Sequence, residues 1–122
     1  MVAGLSLLQH LKDHPEVYTE LDEKCSRLEK GIRKVMENSG KPFQLNRLGS
    51  MISLHFTGDP VVNFESAGKG NNESFKKFFH GMLNEGIYLP PSAYESWFLS
   101  NALTIDDIDQ TIRACEKVIS EM

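Results

Sequence analysis

Phe43-Gln-Leu-Asn-Arg-Leu-Gly-Ser-Met-Ile-Ser-Leu-His-Phe56 decides the fold. In it Phe43, Leu45 and Arg47 alternate with polar residues, Gly49 supplies a turn or bulge, and Ile52, Leu54 and Phe56 alternate with Ser53 and His55. A period of two on both sides of a glycine predicts an antiparallel strand pair with one buried face. In that register His55 lies opposite the apolar residues and is expected at the surface. Thr57-Gly-Asp-Pro60 is turn chemistry, and Val61 to Phe64 is expected to add a short edge strand.

Working outward, residues 2–12 read as a helix with Leu5, Leu8 and Leu11 at three-residue steps, and Pro15 then forces a fresh start. A longer helix runs from about Pro15 to Asn38, with Val17, Leu21, Cys25, Leu28, Ile32 and Val35 on its apolar face and Gly40 as terminator. Its opposite face pairs Glu20 with Lys24, Glu23 with Arg27 and Glu29 with Arg33 at four-residue spacing, which reads as a solvated charged face. On the other side of the strand pair, a helix from Asn71 or Asn72 to Gly86 buries Phe75, Phe78, Phe79, Met82 and Leu83. A short strand is expected at Ile87 to Leu89, then a loop and a further strand. The last helix opens at Thr104, with Asp107 completing a capping box, and buries Ile105, Ile108, Ile112, Cys115 and Ile119. Long helices must cover one side of a small sheet, so the expected fold is a two-layer α+β domain whose mainly antiparallel sheet has about three to four strands.

At 122 residues and 40% apolar content, residues 1–122 form a single domain large enough for one core. A net charge of −4 with no clustered Lys and Arg argues against a nucleic-acid partner. No apolar run reaches the length of a membrane span, and the N-terminus lacks the form of a signal peptide, so the chain reads as cytoplasmic. Cys25 and Cys115 form no CxxC pair and fall on apolar helix faces, as small core residues with no metal or redox role. His10 and His14 could meet across one turn, but Pro15 disfavours a helical His14 and with it a two-histidine metal site. His80, just off an apolar stripe, reads as a packed or hydrogen-bonded residue. Gly68-Lys-Gly70 lacks the spacing of a phosphate-binding loop.

The stretch richest in chemistry is Gly86-Ile-Tyr-Leu-Pro-Pro-Ser-Ala-Tyr-Glu-Ser-Trp-Phe-Leu-Ser100. Pro90 and Pro91 stiffen it and withdraw two backbone donors, so an extended, pre-organised loop is expected. Tyr94, Trp97 and Phe98 are expected to enclose Glu95 in apolar surface, where a fixed carboxylate acts more strongly than in water. The competing reading is a solvated Glu95 beside core aromatics.

Together with this stretch, Asn46-Arg-Leu-Gly-Ser-Met51, Phe78-Phe-His-Gly-Met-Leu83, Gly86-Ile-Tyr-Leu89, Pro91-Ser-Ala-Tyr-Glu-Ser96 and Thr104-Ile-Asp-Asp-Ile-Asp109 resemble the C-terminal domain of glutamate-1-semialdehyde 2,1-aminomutase. That family comprises fold type I enzymes dependent on pyridoxal 5'-phosphate and is related to the class III aminotransferases. The resemblance covers the chain from about Val2 onward. It implies a fragment of a longer isomerase that makes 5-aminolevulinate for tetrapyrrole (porphyrin) biosynthesis. The large domain carrying the cofactor lysine would be absent, and the parent would be a homodimer. No Lys here has the apolar setting a Schiff-base lysine needs. The fragment alone is therefore expected to be inactive, with no bound cofactor, no catalytic residue and exposed apolar area that favours self-association. By the same resemblance Glu95 faces the small-molecule substrate, attracting its ammonium group and repelling a second carboxylate, with Ser92 and Ser96 as neighbouring hydrogen-bonding groups. Leu103 stands where the family often has a histidine, so the contact that histidine makes is in doubt. Two alternatives remain open: the C-terminal domain of another class III aminotransferase, and a free-standing α+β binding module.

Overall fold

A computed structural model describes all 122 residues. Along the chain the elements are α1 (Val2–Asp13), α2 (Glu16–Ser39), β1 (Gln44–Leu48), β2 (Met51–His55), α3 (Phe64–Ala67), α4 (Asn72–Asn84), β3 (Trp97–Phe98) and α5 (Ile105–Glu121). β1 and β2 form the expected antiparallel hairpin, pairing Gln44 with His55 through to Leu48 with Met51. Gly49 takes φ 58° in the two-residue turn, a conformation an L side chain resists. β3 pairs antiparallel to the other edge of β2, through Met51–Phe98 and Ile52–Trp97, giving a three-stranded sheet in the order β1-β2-β3.

Side chains paired across strands share a face. Ile52 and Trp97 are buried toward the helices, and the neighbouring row, Leu48, Met51 and Phe98, turns to the other side and leaves Leu48 and Phe98 exposed. α2 lies across β1 and β2 and packs along α5, while α4 packs on α5. The core between the layers holds Leu28, Ile32, Met36, Ile52, Leu54, Phe78, Met82, Ile108 and Val118. α2, α4 and α5 contribute residues at three- and four-residue steps, as amphipathic helices must. This is the two-layer α+β architecture that the alternation of periods predicts.

Several local expectations change. Ile87 to Leu89 does not form a strand, because the Ile87 N–H donates to Met82 O (2.9 Å) and the Gly86 N–H to Leu83 O (3.0 Å), so these residues close α4 in a Schellman-type cap. Val61 to Phe64 is not an edge strand either. Asn63 and Ser66 satisfy one another's backbone in a capping box that starts α3, a local alternative to sheet pairing. His55 is buried (8% exposed), not at the surface: it does lie on the face predicted, but the segment at residues 61–67 covers that end of the sheet. Leu83 and Ile105 are exposed, whereas Met36, Ala114 and Val118 join the core.

The charged face of α2 is also less solvated than expected. Only Glu29 and Arg33 pair within the helix (3.1 Å). Arg27 forms a two-pronged contact with Asp109 of α5 (2.7 and 2.9 Å), and Arg47 of β1 reaches Asp22 (2.8 Å) and Glu29 (2.7 Å). α2 therefore holds strand and helix through charge as well as through its apolar stripe. α1 differs from the other long helices: none of its residues is buried, and His14 leaves helical geometry at φ −127° and ψ 65°. The His10 and His14 rings do meet, with centroids 4.5 Å apart, and His14 Nδ1 lies 3.0 Å from Glu16. Cys25 and Cys115 are buried free thiols, and burial pushes the Cys115 thiol up to about 12.

Candidate functional site

The segment from Gly86 to Leu99 forms one wall of a cleft of about 690 Å³, with the first turns of α5 opposite and Leu28 of α2 also lining it. Leu89 and Trp97 are its buried anchors. Trp97 stacks on Phe78 of α4 (6.3 Å between centroids, 13° between planes) and Leu99 N–H donates to Ser50 O (3.2 Å), which fixes the wall's far end to the hairpin turn. Between the anchors, Ser92 organises a tight turn: its hydroxyl accepts from the Tyr94 N–H (3.2 Å) and its carbonyl from the Glu95 N–H (3.1 Å). Two consecutive residues after the prolines are thus tied back to one serine, which is how a short loop holds a side chain without helix or sheet.

Glu95 lines the cleft and is exposed. The apolar enclosure expected around it is not formed by this chain. Trp97 turns inward to the core, Phe98 is 71% exposed, and Tyr94 stacks instead on Phe64. A side chain in water interacts about four times more weakly than at an effective dielectric near 20. Ser96, one residue on, lines a smaller pocket of about 350 Å³ on the open side of the sheet, with Ser53, His55, Asn46 and Tyr94. Burial depresses His55 below the ordinary imidazole range, and its Nε2 lies 3.1 Å from Ser53 Oγ. The structure therefore places Glu95 and Ser96 in different pockets, and Ser92 in the turn that carries them.

The cleft's charge is one-sided. Besides Glu95 it is lined by Asp107, whose carboxyl the Thr104 backbone N–H and then the Thr104 hydroxyl hold below the usual carboxylate range. No Lys, Arg or His lines it. Gln110 and Thr111 add neutral polar groups, with the Thr111 hydroxyl donating to Asp107 O (2.8 Å). Asp107, Gln110 and Thr111 were legible in principle, since steps of three and one put them on one helix face beside the buried stripe. A second feature had no sequence signal. Lys24 donates to the carbonyl and side chain of Asn101 (2.9 and 3.0 Å), while the Asn101 amide donates to Glu20 (3.0 Å), clamping the loop after β3 onto α2. Leu103, at the end of that loop, is half-buried and lines the cleft.

The residues present do not by themselves fit pyridoxal phosphate. No lysine lines either pocket, and Lys24, Lys76 and Lys117 are committed to Asn101, Glu73 and Glu85.

Comparison with known proteins defines the class first. The structure superposes on an omega-transaminase from Sphaerobacter thermophilus with a TM-score of 0.80 at 20% identity, covering 98% of this chain and 27% of that one. A β-phenylalanine aminotransferase from Variovorax paradoxus gives 0.74 at 28% identity, covering 83% of this chain and 23% of that one. The fold is that of a domain found in transaminases. Within that class the sequence resembles the C-terminal part of glutamate-1-semialdehyde 2,1-aminomutase. The Flavobacterium johnsoniae enzyme is 52% identical over 118 residues and the Bacillus subtilis enzyme 46% over 122. The chain spans about 28% of the length of either relative, against 97% and 100% of its own. No family model matches the chain.

Proposed function

We propose that this chain acts as the substrate-facing C-terminal lobe of a glutamate-1-semialdehyde 2,1-aminomutase, an isomerase that moves an amino group from C2 to C1 of a five-carbon semialdehyde to give 5-aminolevulinate. The observation that carries the reading is 52% identity to one such enzyme along 97% of the chain, with Glu95 on a cleft that holds no cation. The cofactor supplies the amino-transfer chemistry. Its anchoring lysine is assigned to the part of the relatives that this chain does not span, so the chain alone is read as inactive. The complete enzyme is read as a cytoplasmic homodimer.

In this reading Glu95 supplies a negative charge facing the substrate's ammonium group. It disfavours ligands that bring a second carboxylate, so glutamate, the ordinary amino donor of transaminases, fits poorly. Water around Glu95 weakens this effect until another surface closes over the cleft, as water exclusion strengthens every charge inside a site. Ser92 holds the turn from which Glu95 projects, whereas Ser96, in the pocket on the open side of the sheet, is assigned no contact with that ligand end.

The test uses a chimera in which this chain replaces the matching C-terminal segment of the Flavobacterium johnsoniae enzyme. Glu95→Gln should raise KM for the semialdehyde by roughly tenfold and allow turnover with glutamate, the size of effect one removed charge contact gives. Unchanged KM together with unchanged rejection of glutamate would discard the role of Glu95.

A second reading, the same domain in a class III aminotransferase, draws on the two transaminase structures that share the fold. The absence of any arginine from the cleft disfavours it for an enzyme that must grip an α-carboxylate. Formation of 5-aminolevulinate by the chimera with no added amino acceptor separates the two. A free-standing binding module is the weakest alternative, given matches of this identity to one enzyme family.

A further inference from the structure

The segment joining β2 to α4 makes a contact with the Glu95 turn that no role yet explains. Phe64 opens α3 and remains 78% exposed, yet its ring stacks on Tyr94 with centroids 5.1 Å apart and planes 27° apart. Tyr94 is the residue immediately before Glu95. Its hydroxyl also lies 3.6 Å from the place a Cβ on Gly68 would occupy, so the ring spans the whole of α3. Offset aromatic pairs at this separation are favourable beyond the area they cover, and they restrict where both rings can sit.

The supporting side of this contact is hydrogen-bonded at both ends and within. Asn46 Nδ2 donates to Val61 O (2.8 Å), which fixes the segment's start to β1. The Asn71 N–H donates to Phe56 O (3.0 Å), which fixes its end beyond β2. Between them Asn63 Oδ1 accepts from the Ser66 N–H (2.9 Å), while Ser66 Oγ accepts from the N–H groups of Val62 (2.9 Å) and Asn63 (3.0 Å). The turn on the other side has less to hold it. Tyr94 and Glu95 are exposed, and their N–H groups bond only to Ser92, within the same turn. Ala93 seats the turn's inner side on the core, and the Phe64 ring is the surface against which its outer side, at Tyr94, is seated.

We propose that Phe64 is a positioning residue that sets the direction of the Glu95 carboxylate through the Tyr94 ring. The proposal rests on the reading of Glu95 as the substrate-facing charge. Losing the stack lets the turn at residues 92–95 rotate, which moves a charged group on a short lever. Displacements of about 1 Å at a site cost much more in binding and rate than the contact itself.

The chimera described above tests it with Phe64→Ala, Phe64→Tyr, Glu95→Gln and the double variant Phe64→Ala with Glu95→Gln. Phe64→Ala should raise KM for the semialdehyde roughly three- to tenfold with little change in kcat and should weaken rejection of glutamate, while Phe64→Tyr, which keeps the ring, should restore both. The double variant should be no worse than Glu95→Gln alone, because a positioning residue has nothing left to position. If Glu95→Gln has its effect while Phe64→Ala has none, or if the two effects add, the positioning role is overturned and the Glu95 reading stands. If Glu95→Gln has no effect, the Glu95 reading is the one that fails. A measurement on the 122-residue chain itself gives an independent check. Amide order parameters at Tyr94, Glu95 and Ser96 should fall on Phe64→Ala and recover in Phe64→Tyr, and unchanged values would overturn the proposal whatever the kinetics.

Discussion

His55 occupies a strand position whose side chain alternation points away from the core, and it is buried all the same. The cover comes from the segment at residues 61–67, and Ser53 Oγ is its one hydrogen-bonding neighbour. Burial depresses the imidazole below its ordinary range. The sign follows from linkage: the unfolded chain binds a proton at a pH where the folded protein refuses it, so stability falls as pH drops below about 6.5 toward the folded value. Urea unfolding at pH 7.5 and pH 5 should show a loss of stability in the natural chain that is smaller in His55→Gln. An equal loss in both would place the acid sensitivity elsewhere.

At the scale of elements, α5 is fixed at its N-terminus by the Thr104 and Asp107 box. Thr104 Oγ1 accepts from the Asp107 N–H (3.1 Å) and Asp107 Oδ2 accepts from the Thr104 N–H (2.7 Å). Thr104→Ala should cost about 1 kcal/mol of unfolding free energy, read from the urea midpoint, and Thr104→Ser should restore most of it. The box was legible in the sequence because it is local, as were the three longest helices and the hairpin, each set by a period and a terminator such as Gly40 or Gly49. Long-range arrangements were less so. Ile87 to Leu89 has strand composition, but its first N–H is taken by the end of α4 and two prolines follow, so no ladder can form. Trp97 is close to Glu95 in sequence only. Its pairing with Ile52 sends it to the helix side of the sheet, while Glu95 stays in solvent. The Phe64–Tyr94 stack and the Lys24–Asn101–Glu20 clamp join distant residues and have no periodic signature.

Across the whole molecule, apolar surface is unevenly placed. The row Leu48, Met51 and Phe98 crosses the open face of the sheet, and Leu5, Leu7 and Leu8 of α1 stand in solvent at 68%, 59% and 67% exposure. Single exposed leucines are ordinary, but two grouped patches on so small a chain favour contact with another surface. Sedimentation velocity across a concentration series should show self-association, reduced by Leu5→Glu with Leu8→Glu; a single ideal species at every concentration would refute this. α1 also has a consequence for how any such contact forms. A twelve-residue helix with no buried residue lies near the lower margin of helix stability in water, where helix and coil interconvert within about a microsecond. A surface that receives it must hold a marginal helix in shape, and that ordering cost is subtracted from the affinity of whatever the leucines bury against.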